Sequence, residues 1–235
     1  MNFLEQFVVN VFSLMAKIDI VSWFDRNFNS RRAPILGIER HRIETDGDGV
    51  TTLVGFYGCP LRCKYCLNQY CHSYIQRWQM ISAKQLHREV EIDNIYMAMT
   101  GGGVTFGGGE PCLRERYIRE FRQICGNRWK INIETSLYIK SEVLERLIPV
   151  VDSFIVDVKD LNPNIYASYT GKPIEPLLKN LKLLEAKGVQ NRVHIRVPLI
   201  PKINTCVDQE KSVALLSAMG FKNIELFNYI IPNNE

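Results

Sequence analysis

The sequence has no strong excess of either charge. Its 29 basic and 25 acidic residues leave a net +4, too small a surplus to make nucleic acid the expected partner. It lacks the ~18 uninterrupted apolar residues of a membrane span. The apolar opening "MNFLEQFVVNVFSLMAKIDIVSWF" is broken by Glu5, Lys17 and Asp19. No basic stretch precedes that opening and no A-x-A site follows it, so no secretory leader and no integral membrane segment are expected, and the expected compartment is the cytoplasm. No Gly-Lys-Ser/Thr phosphate loop, internal repeat or low-complexity linker is present. The seven cysteines do not read as a disulfide framework either. Their number is odd, and Cys59, Cys63 and Cys66 crowd into one short segment.

What is present is an ordinary globular composition, 46% hydrophobic and 23% charged over 235 residues, enough for a substantial core. Six runs rich in β-branched and aromatic residues predict strands at 51–58, 102–108, 130–137, 153–160, 192–200 and 223–230. Amphipathic segments separate them. Ser82 and Ser141 are expected to cap helices, and Gly188 and Gly220 to stop them. Alternation of this kind implies βαβ crossovers and a parallel sheet, apolar on both faces and covered by helices. The expected fold is α/β: a partial (β/α)6 barrel with an open parallel sheet, preceded by an N-terminal amphipathic helix. Phe3, Phe7, Val8, Val11, Leu14, Met15 and Ile18 give that helix its stripe. The division expected is an N-terminal extension over 1–32, with 26–34 as a joining stretch, and a barrel domain over 33–235. In such folds chemistry collects where the strands end.

The first of these ends carries "GFYGCPLRCKYCLNQ", with cysteines spaced C-x3-C-x2-C. Soft thiolates at close spacing suit zinc or an iron–sulfur cluster. Structural zinc needs four closed ligands, and Cys71 or His72 would have to supply the fourth. A [4Fe–4S] cluster on three cysteines leaves one iron open to another ligand. The second end is "TGGGVTFGGGEP", where glycines allow close backbone approach and Glu110 suits a cationic amine better than a phosphate. The later ends carry Glu134, Thr135 and Ser136, then Asp157 and Lys159 on one side, then Arg196. Polar groups recurring at successive strand ends favour a shared polar ligand.

Together these segments resemble the radical S-adenosylmethionine (SAM) enzymes, through Cys59, Cys63, Tyr65 and Cys66, and more narrowly the activating enzymes of glycyl radical enzymes. That family's "GCPLRCxYCxN" is similar to 58–68, its "GGGVTxSGGEP" to 101–111, its D-x-K to Asp157 and Lys159, and its "IRxxxxP" to 195–201. The resemblance spans about residues 37 to 230. It implies that Cys59, Cys63 and Cys66 hold a [4Fe–4S] cluster and that the amine and carboxylate of SAM chelate its open iron. It also implies that Gly108, Gly109 and Glu110 take the amino group, that Tyr65 lies near adenine, and that Lys159 and Arg196 face the carboxylate or ribose. In family members a monovalent cation can sit beside that carboxylate, at positions matching Glu134, Thr135 and Asp157.

The implied reaction is reductive cleavage of SAM to a 5′-deoxyadenosyl radical, which takes hydrogen from a glycine of a partner glycyl radical enzyme. A flavodoxin- or ferredoxin-type protein would supply the electron, and the chain is expected to act as a monomer. The alternatives are a radical SAM enzyme acting on a small molecule or peptide, and a non-enzymatic electron carrier. Three departures from the family pattern stand out: Gly107 replaces a Ser, Glu134 replaces an Asp, and Ile230 stands where a relative carries a SAM-contacting His. The other cysteines, Cys71, Cys112, Cys125 and Cys206, form no second cluster pattern and are expected to be buried structural thiols.

Overall fold

The computed structural model describes residues 32–73 and 78–231, so the expected N-terminal helix lies outside the described residues. In chain order the elements are β1 (Arg32–Ile43), β2 (Val50–Phe56), β3 (Gln79–Ser82), α1 (Ala83–Glu91) and α2 (Asn94–Thr100). Next come β4 (Gly103–Gly108), α3 (Glu115–Cys125), β5 (Lys130–Thr135), α4 (Ser141–Leu147), β6 (Ser153–Asp157) and α5 (Pro163–Thr170). The series ends with α6 (Glu175–Ala186), β7 (Val193–Leu199), α7 (Cys206–Ala218) and β8 (Asn223–Asn228). They make one sheet in the order β3-β1-β2-β4-β5-β6-β7-β8. The six strands from β2 to β8 run parallel, and β1 and β3 extend the sheet antiparallel at one edge.

The six parallel strands are those the periodicity predicts. β1 and β3 are additions, and Arg32, Ala33 and Pro34, expected in a joining stretch, open β1. The amphipathic segment after Ser82 forms two helices, α1 and α2. The break falls at Asp93, whose buried carboxylate accepts from Arg40 Nη1 at 2.6 Å and Thr52 Oγ1 at 2.8 Å. Those long-range bonds fasten the turn to β1 and β2. Ser82 does cap α1, in a reciprocal capping box with Gln85. Ser141 does not cap α4: Lys140 takes the cap position and Ser141 Oγ donates to Asn180 Oδ1 at 2.9 Å. α4 stops at Leu147, ahead of Pro149, which cannot donate to a helix.

The sheet is not apolar on both faces. Val104, Phe106, Ile131, Ile133, Phe154 and Val156 are fully buried on the helix side, where Phe106 meets Phe121 of α3 edge to face. The alternating positions Thr105, Asn132, Glu134, Asp157 and Arg196 make the opposite face polar. The β1–β2 loop closes over part of that face: the Asp46 carbonyl accepts from Thr105 Oγ1 and from Asn132 Nδ2. A sheet open at its edges leaves this inner face to line a cavity, which explains its polarity.

Candidate active site

Cys59, Cys63 and Cys66 lie in the loop after β2, at the carboxyl end of the parallel strands, half-buried and with free thiols. The loop is stapled to α5, since Arg62 N donates to Thr170 O at 2.9 Å and Lys64 N to Tyr169 O at 3.0 Å. Its far end is tied by Gly58 N donating to Cys71 O at 3.0 Å. Burial pushes the Cys59 thiol up to about 12, with Glu110 adding to it. Burial also pushes Cys63 up to about 11, against the pull of Lys159. Cys66 falls to about 6, because Cys71 hydrogen-bonds its sulfur. Cys59 and Cys63, this hard to ionise, become thiolates only beside added positive charge, and a bound metal centre provides that.

The zinc reading does not assemble. Among the described residues no three His, Cys, Asp or Glu side chains converge where one metal ion could sit. His72 Nδ1 instead accepts from Arg62 Nη1 at 2.8 Å, and burial together with Arg62 pushes the imidazole down to about 4. Three free thiols on one loop suit an iron–sulfur core. A second observation agrees. The hydroxyl of Tyr166, on α5, is buried with no hydrogen-bond partner among the described residues, within electrostatic reach of Cys63, Glu110 and Cys59. An orphaned buried donor costs about 1–3 kcal/mol, and cluster sulfur is an acceptor that would relieve it. The donor set therefore fits an iron–sulfur cluster.

β4 ends in the glycine loop. Gly108 has φ +92, and a Cβ there would lie 2.7 Å from Gly55 Cα and Phe56 N, so only glycine allows β4 to close on β2. The close approach expected toward a ligand is thus first an approach to a neighbouring strand. Gly109 N donates to Phe56 O at 2.9 Å, Glu110 N to Gly58 O at 2.8 Å, and Asn68 Nδ2 to Gly108 O at 3.1 Å. These bonds join the glycine loop to the cysteine loop.

Glu110 is 1% exposed. Its Oε1 accepts from Thr135 Oγ1 at 2.7 Å and Cys112 N at 3.2 Å, and its Oε2 from Ser136 Oγ at 2.7 Å and Ser136 N at 2.9 Å. Four bonds use the acceptor sites of a carboxylate. Glu110 therefore ties the glycine loop to the end of β5, and it offers a neighbouring ligand its charge before its lone pairs. Thr135 faces this buried knot, 3% exposed.

The remaining strand-end charges form one chain. Glu134 Oε1 meets Arg196 Nη1 at 3.0 Å, Arg196 Nε meets Asp157 Oδ1 at 2.7 Å, and Asp157 Oδ2 meets Lys159 Nζ at 3.0 Å. Burial would raise Asp157, but Lys159 and Arg196 override it and hold the carboxyl at about 2. Glu134 goes up to about 7, because burial outweighs its one cation and Asp157 and Asp46 repel its charge. Lys159 lies within electrostatic reach of Cys63, which connects the chain to the cysteine loop.

Tyr65 sits beside Tyr169, ring centroids 6.2 Å apart, and its carbonyl accepts from the Tyr229 hydroxyl. Tyr229 is buried, while Ile230 next to it is 83% exposed. Sequence reasoning gave no role to Tyr229, Tyr169, Tyr166 or Asn68, and noted Ser136 only as a rim residue. Of the four other cysteines, Cys71, Cys112 and Cys125 are buried as expected, but Cys206 opens α7 and is exposed.

The profile of the radical SAM superfamily matches residues 53–209. The chain belongs to the radical SAM superfamily. A radical SAM protein takes SAM and a [4Fe–4S] cluster as its cofactors. Among curated relatives it is 31% identical to the pyruvate formate-lyase-activating enzyme of Clostridium pasteurianum, over 79% of this chain and 78% of that protein. It is 26% identical to the (2S)-3-sulfopropanediol dehydratase activating enzyme of Klebsiella oxytoca, over 80% and 78%. It is also 26% identical to the benzylsuccinate synthase activating enzyme of Thauera aromatica, over 83% and 78%. Among solved structures, Streptococcus suis SuiB bound to S-adenosylmethionine shares the fold with TM-score 0.59 at 18% identity, over 76% of this radical SAM chain and 40% of that one. The structure of anSMEcpe with bound AdoMet gives 0.57 at 17%, over 76% and 49%. The chain thus spans under half the length of either. No helix among the described residues is long and apolar enough to cross a membrane.

Proposed function

We propose that this radical SAM enzyme activates a glycyl radical enzyme by taking a hydrogen atom from a glycine of that partner. One observation carries the site: the thiol loop and the glycine loop are bonded together and to the end of β5 at one end of the sheet, with the ionic chain within electrostatic reach of Cys63. The similarity to several activating enzymes supports the choice of substrate.

In this reading Cys59, Cys63 and Cys66 would hold the cluster and leave it one place open to SAM. A bound cluster, with a flavodoxin- or ferredoxin-type protein as reductant, would supply the electron for cleavage of the sulfonium. The chain's own residues position and shield. Gly108 and Gly109 present backbone beside the amino group, and the buried charge of Glu110 favours that ammonium at short range. Lys159 and Arg196, already held by Asp157, present cationic donors to the carboxylate or ribose without having to be ordered on binding. Tyr65 offers a ring face for adenine, kept in place by Tyr169 and Tyr229.

Anaerobic reconstitution, reduction and an assay for 5′-deoxyadenosine test the cleavage step. Co-expression with a candidate glycyl radical enzyme tests the substrate through the glycyl electron paramagnetic resonance (EPR) signal. Cleavage without that signal on any candidate partner would point to a small-molecule or peptide substrate. Full cluster content without cleavage would leave an electron carrier.

A further inference from the structure

The family resemblance brings a soluble monovalent cation to Glu134, Thr135 and Asp157, and these side chains do not form a cage for one. Glu134 Oε1 and both oxygens of Asp157 are each held by a cationic nitrogen, at 3.0, 2.7 and 3.0 Å. Thr135 Oγ1 is spent on Glu110 at 2.7 Å, in the buried knot at the end of β5. Two carboxylates facing two cations leave no spare negative charge, so another cation would enter beside Arg196 and Lys159 as uncompensated positive charge. Hard cations also need several free oxygens, and among the described residues no trio of acidic, His or Cys side chains offers them.

Gly107 and Glu134 explain how this arrangement fits. Glu134 Oε2 lies over Gly107, where an added Cβ would come within 2.8 Å of it and within 3.1 Å of Leu53 Cδ1. A side chain at 107 would therefore push Glu134 away from Arg196. An aspartate at 134 would be one methylene shorter and would leave that space free. The two departures from the family pattern are thus one coupled change. We propose that the guanidinium of Arg196, gripped by Glu134 and Asp157, is the fixed cation of this site, and that Gly107 makes the room for it. The enzyme then needs no soluble monovalent cation to bind SAM. This inference rests on the reading that SAM binds at these strand ends.

The test is SAM binding by equilibrium dialysis to the anaerobically reconstituted holoenzyme. Potassium, sodium and tetramethylammonium chloride are compared at equal ionic strength, tetramethylammonium being too bulky to occupy an oxygen cage. The dissociation constant should agree in all three within about two-fold, and a ten-fold tightening in potassium would overturn the proposal. Gly107→Ser/Glu134→Asp, with Glu134→Asp alone as the less perturbing variant, draws the carboxylate away from Arg196. Either should become potassium-dependent by about five-fold or more at unchanged iron content. Variants as indifferent to potassium as the parent would overturn the role of Glu134. Absence of SAM binding in every salt would break the site assignment itself, and the inference with it.

Discussion

The hydroxyl of Ser136 donates to the Glu110 carboxylate at 2.7 Å, and the Ser136 amide donates to the same oxygen at 2.9 Å. This pairing joins the glycine loop after β4 to the turn after β5. The glycine loop is laced on its other side to the cysteine loop through Asn68 and Gly58. A change at Ser136 should therefore be felt at the proposed SAM site without touching a proposed cluster ligand.

Ser136→Ala removes one hydroxyl from a carboxylate that keeps three other donors. It should destabilise the fold by about 1 kcal/mol and weaken SAM binding several-fold, with iron content unchanged. Glu110→Ala is more severe, because it strands the donors of Thr135 and Ser136 in a buried place. A loss of about 2–4 kcal/mol in thermal or denaturant melts is expected, with SAM affinity falling further than in Ser136→Ala. Unchanged SAM affinity in Glu110→Ala would remove the glycine loop from the site.

Cys63→Ala should abolish the cluster and leave the fold nearly intact, because Cys63 is half-buried in a loop whose backbone bonds do not use its side chain. Iron and sulfide analysis after reconstitution, beside a circular dichroism melt, separates the two effects. Retained stoichiometric iron in a folded Cys63→Ala protein would contradict the ligand assignment.

Tyr166→Phe deletes only the unpartnered hydroxyl. In the chain without its cluster this should be neutral or stabilising by up to about 1–3 kcal/mol, because a buried orphan donor is removed. In the reconstituted protein the gain should vanish and the cluster potential should move more negative, since hydrogen bonds to cluster sulfur favour the reduced form. Potentiometry followed by EPR reads the shift, and equal stability effects with and without cluster would count against the contact.

Glu134 sets a pH dependence near neutrality. Its carboxyl, ordinarily at 4.5, lies at about 7 in the folded chain, chiefly through burial. The folded state thus holds a proton that the unfolded state has released. The stability linked to this group is fully present below about 4.5 and is lost as pH rises through about 7. Tm should fall between about pH 6 and pH 8 by more in the parent than in Glu134→Gln, which has no proton to lose. Parallel Tm curves for the two proteins would rule the assignment out.

Much of the site was legible because its signals are local. Cys59, Cys63 and Cys66 fall within one loop, and Gly107 to Glu110 within one turn, so their spacing alone marks them as candidates. Asp157, Lys159 and Arg196 could be placed because each lies in or just after a strand of clear period. Partner choice was not legible. Nothing near Glu110 in sequence indicates that Ser136 and Thr135 will take up its oxygens, and nothing near Tyr166 indicates an orphaned hydroxyl beside the thiols. β1 escaped for a related reason. Its run "RAPILGIERHRI" contains a proline, a glycine and five charged or imidazole side chains, and it becomes a strand by pairing with β2 and β3, at sequence separations from 7 to 50 residues.

The sequence by itself determined six parallel strands and placed a cysteine loop and a glycine loop after the first two of them. Periodicity and short motifs act over a few residues and survive without knowledge of the rest. Only the tertiary structure decided which charges neutralise each other across the inner face. It gave Glu134 to Arg196 and Glu110 to Ser136, and it set Gly107 under a carboxylate from the next strand. Those choices depend on sheet order and register, which bring together side chains about 25 to 60 residues apart, at distances where a methylene more or less changes the outcome.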